Sequence, residues 1–233
     1  MAKSSSIEWT DATWNPWHGC VKVSPGCKYC YMYREKHRYG QIPDNIVRSK
    51  TTFYDPLSWK KPRVIFTCSW SDWFLEESDE WRDEAWEIIR QTKHHIYQIL
   101  SKRPERISEN LPADWGEGYE NVWLGTSIEN QGYVYRKDLL IRIPAKIRFI
   151  SAEPLLGPIN LGKLDKVNWV ITGGESGPSS RPMDLNWVRS IRSQCVKANI
   201  PYFHKQNGGN KRVDGTWGGR ELDGIIWNET PIV

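Results

Sequence analysis

Three of the five cysteines in this 233-residue chain lie close together, at Cys20, Cys27 and Cys30, with the spacing C-x6-C-x2-C. The segment between them contains Ser-Pro-Gly, which is typical of a loop on which thiolates can converge. Three sulfur ligands leave one coordination position for another group. Two metal centres suit that pattern: a 4Fe-4S cluster with one iron open to a further ligand, and zinc completed by His18. A disulfide with one spare thiol is a third interpretation, which a reducing compartment disfavours.

The bulk composition predicts a water-soluble chain. Hydrophobic residues make up 39% of it, and the mean hydropathy is -0.64. No apolar run approaches the roughly 18 to 20 residues that a membrane span needs, and the N-terminal segment lacks the apolar region of a secretory signal. With its odd number of cysteines, the chain is expected to be cytoplasmic, with no membrane partner. The net charge of +4 permits an anionic partner without requiring one, and composition predicts no oligomeric state.

Strand-like and helix-like patterns alternate along the chain. Six short, apolar, β-branched runs predict buried strands, and helical patterns follow at residues 78–94 and 184–199. Such an order predicts right-handed βαβ units and a parallel sheet. The six runs occupy residues 64–69, 96–101, 122–127, 147–153, 167–175 and 200–206.

Polar side chains end nearly every one of these runs. The active site of a (β/α) barrel is assembled from the carboxyl ends of all its strands, whereas an open sheet concentrates its site at one switch point. We therefore expect an α/β fold, a complete or partial (β/α) TIM-type barrel with parallel strands. Residues 13–19, TWNPWHG, are predicted as the first strand and its exit. Residues 1–233 would form a single domain, with 208–233 as a glycine-rich C-terminal extension containing a short hairpin.

The cysteine segment resembles the radical S-adenosylmethionine (SAM) superfamily. Its members carry C-x3-C-x-aromatic-C after the first strand of a partial or full (β/α) barrel. This chain places the aromatic Tyr29 directly before Cys30, and its first gap has six residues instead of three. Taken together, WNPWHGC, SPGCKYCYM, SKRPER, SAEPLLGPI and GGESG are similar to the phage-associated three-cysteine-motif family, described as radical-SAM-like. This similarity covers about residues 7–229.

The resemblance implies a cofactor pair and a reaction. Cys20, Cys27 and Cys30 would hold a 4Fe-4S cluster whose fourth iron binds SAM, and Tyr29 would lie beside the cofactor. A flavodoxin- or ferredoxin-type electron donor would reduce the cluster, in the host cytoplasm if a phage encodes the chain. Reductive cleavage of SAM would yield a 5'-deoxyadenosyl radical that acts on a nucleic acid or nucleotide, in modification or repair. Two alternatives stay open: a zinc-structured nucleic-acid-binding protein without catalysis, and an iron-sulfur electron-transfer or sensor protein.

Candidate SAM-binding residues follow three of the predicted strands. By the resemblance, the end of the second strand contacts the methionine amino group, and an acid such as Asp72 suits an ammonium; N-capping of a short turn is the alternative for Asp72. The fourth strand supplies hydroxyl and carboxylate groups suited to ribose, although T-x-x-E also matches a capping box. Of Lys102 and Arg103, one is expected to face inward and grip a carboxylate or phosphate. The cofactor-binding candidates are Ser69, Ser71, Asp72, Lys102, Thr126, Ser127 and Glu129.

Three charged residues are candidates for catalysis. Glu153 and Lys205 lie at the ends of separate strands. There an opposite-charge pair would face the substrate or transfer a proton; a structural ion pair is the alternative. Glu175 lies in GGESG, which invites comparison with the superfamily's GGE motif but follows the sixth strand instead of the second. A glycine turn adopted for backbone reasons explains that segment as well.

A nucleic-acid substrate is suggested by two compositional features. The chain has 14 tryptophans, some of which can stack on bases, although most are expected in the core. Residues 30–40, CYMYREKHRYG, interleave basic and aromatic side chains and could follow a phosphate backbone. The solvated face of an ordinary helix is the alternative.

Overall fold

The computed structural model describes residues 5 and 7–232. Its helices are α1 (Tyr31–Arg38), α2 (Asp55–Ser58), α3 (Asp79–Gln91), α4 (Tyr135–Leu140) and α5 (Leu185–Ala198). Its strands are β1 (Ala12–Trp14), β2 (Trp17–His18), β3 (Val47–Arg48), β4 (Val64–Thr67), β5 (Ile96–Ser101), β6 (Val122–Ser127), β7 (Ile147–Ala152), β8 (Trp169–Gly173), β9 (Tyr202–Gln206), β10 (Arg212–Val213), β11 (Thr216–Trp217), β12 (Glu221–Leu222) and β13 (Ile225–Ile226).

Seven strands form the main sheet in the order β1-β4-β5-β6-β7-β8-β9. Pairing is parallel between β1 and β4, β4 and β5, β7 and β8, and β8 and β9. All six residues of β6 and all five of β8 are buried, as expected for a parallel sheet. The α/β class and the six predicted strands are therefore confirmed. A strand order that follows the chain from β1 to β9 is compatible with a partial (β/α) barrel.

Residue contacts divide the chain into two compact units. Unit 1 comprises the described residues up to Lys22, together with Met32–Gly125 and Arg142–Lys146. Unit 2 comprises Val23–Tyr31, Thr126–Ile141 and the chain from Ile147 onward. Cys20 therefore belongs to unit 1, whereas Cys27 and Cys30 belong to unit 2.

The core of unit 1 is rich in tryptophan, and helix α3 contributes Trp86 to it. The predicted helix over 78–94 is confirmed as α3, which begins with acidic residues and buries Ala85, Trp86, Ile88 and Ile89 on one face. Ser78 occupies the N-cap position without a capping bond, because its hydroxyl donates to the Leu75 carbonyl instead.

The core of unit 2 forms around α5. The predicted helix over 184–199 is confirmed: Asp184 caps its first turn by accepting from the Asn186 N–H, and Asn199 ends it in the left-handed conformation. Its apolar face, which includes Val188 and Ile191, belongs to the same buried cluster as Val170 of β8. This helix fixes the strands that carry the polar groups of unit 2.

The two ends of the chain differ in detail from expectation. The first strand is shorter than predicted: β1 covers only 12–14, because Pro16 has no N–H to continue a ladder, and β2 then pairs antiparallel with β3. The C-terminal segment forms two antiparallel hairpins, β10-β11 and β12-β13, instead of one. Among the described residues, no helix has the length and apolar composition needed to cross a membrane.

Candidate functional site

Cys20 follows β2 in unit 1, and neighbouring residues hydrogen-bond its backbone and its side chain. Its N–H donates to the Pro43 carbonyl at 3.0 Å, and its carbonyl accepts from the Tyr33 phenol. The guanidinium of Arg103 hydrogen-bonds its side chain. The preceding Gly19 has φ +101°, and a Cβ there would lie 2.5 Å from the Asn45 carbonyl oxygen, so no larger residue fits.

A buried ion pair supports the Cys20 segment. Asp72 and Arg103 are 6% and 8% exposed, with Oδ2 and Nη1 3.2 Å apart. The Asp72 carboxylate also accepts from the Ser101 hydroxyl at 2.7 Å and from the N–H groups of Lys102 and Phe74 at 2.9 and 3.0 Å. Four donors fill the acceptor capacity of a carboxylate. Asp72 thus positions the Cys20 segment through Arg103.

The structure resolves two alternatives at this edge of unit 1. Asp72 caps the short turn that follows it, as the alternative expected: its carboxylate accepts from the Phe74 N–H at 3.0 Å, and its carbonyl accepts from the Leu75 N–H. Of the adjacent basic pair, Arg103 is buried, whereas Lys102, our candidate for cofactor binding, is half-buried.

Ser69 and Ser71, also predicted to contact the cofactor, are both half-buried and bonded within unit 1. The Ser69 hydroxyl exchanges hydrogen bonds with the Asn15 amide, at 3.0 and 3.3 Å. The Ser71 hydroxyl donates to the Gly19 carbonyl at 2.6 Å. Ser71 therefore fixes the glycine that precedes Cys20.

Cys27 and Cys30 lie on one tight loop of unit 2. Pro25–Cys27 forms a single turn of 3-10 helix, in which the Cys27 N–H donates to the Ser24 carbonyl at 3.0 Å. The Cys30 N–H donates to the Cys27 carbonyl at 3.4 Å, and the Ser24 hydroxyl lies 3.6 Å from the Cys27 sulfur. Both thiols are half-buried, as is that of Cys20, and none of these three described cysteines forms a disulfide.

Glu129, predicted as a ribose ligand, instead braces this loop from within unit 2. It is fully buried, and its carboxylate pairs with the 2% exposed Arg136 at 3.0 Å. The Ser24 hydroxyl donates to it at 2.5 Å. A Cβ on Gly26 would lie 2.5 Å from its Cγ, so the loop approaches this side chain as closely as glycine allows. The capping-box alternative is wrong, because Asn130 caps the next turn by accepting from Gly132.

A second acid of unit 2 braces the same loop through an arginine. Glu175 is buried and accepts from the Arg181 guanidinium at 2.6 and 2.9 Å and from the Arg181 N–H at 2.9 Å. Arg181 also donates to the Pro25 carbonyl at 3.0 Å and lies 5.2 Å from the centre of the Tyr29 ring. The hydrogen bonds that Arg181 donates to Glu175 raise the pKa of Arg181. The GGESG segment therefore supports the cysteine loop indirectly, through Arg181.

Thr126 and Ser127, the other predicted ribose contacts, are buried at the end of β6. The Ser127 carbonyl accepts from the Arg136 guanidinium at 2.9 Å, which ties the strand end to the Glu129 pair.

Glu153 and Lys205 form the ion pair that their positions suggested. Their charged atoms are 2.6 Å apart, at the carboxyl ends of β7 and β9, and each side chain is 20% exposed. Both side chains are therefore partly accessible to solvent. The Glu153 side chain is also closely packed, because a Cβ on Gly173 would lie 3.2 Å from its carboxyl carbon. A role toward substrate stays a prediction.

Sequence reasoning missed the two arginines of unit 2 that brace the cysteine loop. Arg136 lies seven residues after Glu129, and Arg181 lies six after Glu175, in segments with no recognisable motif. A signal was present at Gly26, because glycine directly before a candidate ligand suggests close approach of another group.

Comparison with known proteins gives a family and no activity. A family model described as "Protein of unknown function (DUF5131)" matches residues 4–231. The chain belongs to this family. Searches of curated proteins and of solved structures find no match.

The donor chemistry of the three thiols fits a thiophilic centre. They are half-buried sulfur atoms outside any disulfide, on segments fixed by buried ion pairs, and soft thiolates select iron-sulfur clusters or zinc. Within residues 5 and 7–232, no group of three or more His, Cys, Asp or Glu side chains is gathered so that it could hold a metal ion.

The basic and aromatic strip of the DUF5131 chain is partly a solvated surface. Helix α1 buries Met32 and Lys36, and burial lowers the pKa of that lysine. The opposite side exposes Arg34, His37 and Arg38. An exposed basic surface therefore follows the cysteine loop in the sequence.

Proposed function

We propose that the chain is a radical-SAM-like iron-sulfur enzyme in which Cys20, Cys27 and Cys30 ligate a 4Fe-4S cluster. The observation that carries this proposal is that buried acid–arginine pairs brace both cysteine-bearing segments. When bound, the cluster would supply the electron that cleaves SAM to methionine and a 5'-deoxyadenosyl radical. The parallel sheet and the motif resemblance support the same assignment.

The residues of unit 1 would prepare Cys20 for ligation. A guanidinium beside a thiol favours the thiolate, which is the form that binds metal. Asp72 holds Arg103 in that position, and Ser71 holds the neighbouring Gly19. These contacts reduce the ordering that ligation requires.

The residues of unit 2 would do the same for Cys27 and Cys30. Glu129 fixes Ser24 and leaves room only for glycine at position 26. Arg181 fixes the Pro25 carbonyl and lies over Tyr29. We therefore reassign Asp72, Glu129 and Glu175 from contact with cofactor or substrate to positioning of the cysteine segments.

The remaining candidates keep their proposed roles toward SAM and substrate. Lys102 and Tyr29 are half-buried, as a cofactor contact requires, and we propose Lys102 for the SAM carboxylate. The Glu153–Lys205 pair is fixed yet solvent-accessible, so we propose it as the substrate-facing pair. The exposed basic side of α1 supports a nucleic acid or nucleotide as the substrate class.

Anaerobic assay of SAM cleavage tests the proposal. Protein reconstituted with iron and sulfide, then mixed with SAM and dithionite, is expected to form 5'-deoxyadenosine, and Cys30→Ala to form none. Cys195→Ala is the matched control, because Cys195 lies in the core of unit 2. A cluster that leaves SAM intact would instead indicate an electron-transfer or sensor protein. Stoichiometric zinc without iron would indicate the zinc-structured nucleic-acid-binding alternative.

Salt-dependent binding tests the substrate class. Affinity for a single-stranded oligonucleotide should fall steeply with salt concentration, and Arg34→Gln/Arg38→Gln should reduce both the affinity and the slope. Binding that is absent, or unchanged between low and moderate salt, would remove the nucleic-acid assignment.

A further inference from the structure

Four tryptophans and a tyrosine form a continuous row through unit 1. Ring centroids are separated by 5.1 Å from Trp17 to Trp73, 5.1 Å from Trp73 to Trp86, 5.5 Å from Trp86 to Trp115, and 4.9 Å from Trp115 to Tyr119. The four indoles are between 0% and 6% exposed, whereas Tyr119 is half-buried. We call these five residues the tryptophan row.

The inner end of the row is joined to the Cys20 segment. Trp17 lies three positions before Cys20, and its indole N–H donates to the Asp72 carbonyl at 3.1 Å. The carboxylate of Asp72 pairs with Arg103, which hydrogen-bonds the Cys20 side chain. A chain of direct contacts therefore connects the Cys20 sulfur to the first indole.

The outer end of the row has a proton acceptor. The Tyr119 phenol donates to Asp114 Oδ1 at 2.6 Å, and that carboxylate is 54% exposed and held by Arg90 at 3.2 Å. Oxidation of a phenol by one electron requires that its proton leave, and a hydrogen-bonded carboxylate is placed to take it.

A side branch of the row lacks such an acceptor. Trp14 lies 5.7 Å from both Trp73 and Tyr97, measured between ring centroids. Tyr97 is fully buried, and its hydroxyl bonds to the Thr92 hydroxyl, which is no base at neutral pH. An oxidising equivalent on the branch would therefore return to the row and end at Tyr119.

We propose that the tryptophan row conducts one-electron oxidising equivalents from the Cys20 segment to Tyr119. A strong one-electron oxidant at the inner end, such as a ruthenium(III) polypyridyl complex on Cys20, takes one electron from Trp17 and is itself reduced to ruthenium(II). Each oxidised indole is then reduced by an electron from the next ring of the row. Tyr119 gives the last electron, its phenolic proton passes to Asp114, and a neutral tyrosyl radical remains where a solvent reductant can quench it. This activity is independent of the proposed function, because any one-electron oxidant at Cys20 that is strong enough to oxidise an indole would start it.

A photo-oxidant attached to Cys20 tests the proposal. In full-length Cys27→Ser/Cys30→Ser protein, a ruthenium polypyridyl maleimide should label Cys20, since Cys68 and Cys195 are only 3% and 0% exposed. A light flash excites the ruthenium(II) label. A cobalt(III) ammine in solution then takes an electron from the excited label and leaves ruthenium(III), which is the oxidant. We expect a tyrosyl radical in the EPR spectrum, and transient absorption should follow its formation.

Variants of the row separate conduction from packing. Tyr119→Phe should remove the tyrosyl signal, and Trp86→Phe should slow its formation at least tenfold. The matched control Trp169→Phe, whose ring packs between Phe149 and Phe203 of unit 2, should change neither. Asp114→Asn, at the surface, should lower the tyrosyl yield and prolong the tryptophan radical even if Trp86→Phe does not fold. An undiminished tyrosyl signal in Tyr119→Phe, or an unchanged rate in folded Trp86→Phe, would overturn the proposal.

Discussion

The buried pair of Glu129 and Arg136 allows one prediction to be worked out in full. Glu129→Gln keeps the size of the side chain and removes its charge, leaving the 2% exposed Arg136 guanidinium without its counter-ion. Breaking a buried pair in this way costs about 3–5 kcal/mol. Because domains of this size unfold with about 5–15 kcal/mol, we expect Glu129→Gln to lose about a fifth or more of the free energy of unfolding.

Urea unfolding at neutral pH, followed by tryptophan fluorescence, measures this loss. The matched control is Asp223→Asn in the exposed pairs with Arg189 and Arg192, where Asp223 is 38% exposed and a much smaller loss is expected, because solvent screens exposed ion pairs. Glu129→Leu/Arg136→Met should recover most of the stability, because it leaves no buried charge. A loss in Glu129→Gln equal to that in Asp223→Asn would refute the assignment of Glu129 as a buried brace.

Two further predictions concern the cysteine loop and pH. Gly26→Ala places a Cβ 2.5 Å from Glu129 Cγ, so it should displace the loop and raise the rate at which a thiol reagent modifies Cys27; an unchanged rate would contradict the close approach. Burial lowers the pKa of His204 below 6.5, so the unfolded chain takes up a proton that the folded chain does not as pH falls through that value. Stability should therefore decline from about pH 7 to pH 5, by at most about 1.4 kcal/mol per pH unit for this group, and decline less in His204→Gln; parallel pH profiles would exclude His204 as a source.

The sequence was sufficient for the parts of the fold that depend on local pattern. Apolar β-branched runs such as 122–127 form buried strands, and the acidic start and apolar face of 78–94 form α3. The strand ends that carry the candidate residues were predictable, but the side chains with which those residues pair were not. T-x-x-E at Thr126 looks like a capping box, yet packing buries Glu129 against Arg136, and Asn130 caps the turn.

Local sequence patterns could not predict pairs of residues that lie far apart in the chain, because only the fold brings such residues together. Asp72 and Arg103 are 31 positions apart, and only the pairing of β4 with β5 brings their segments together. The alternation of a strand requires that one of Lys102 and Arg103 turn inward, but it does not say which. Arg103 is the buried one because Asp72 lies on that side to neutralise it.

Iron and acid-labile sulfide content test the central claim most directly. Protein purified and reconstituted without oxygen should contain one 4Fe-4S cluster per chain, Cys30→Ala should lose it, and Cys195→Ala should keep it. Wild-type protein that contains no iron, or iron that stays bound in Cys30→Ala, would contradict ligation of a cluster by these three cysteines.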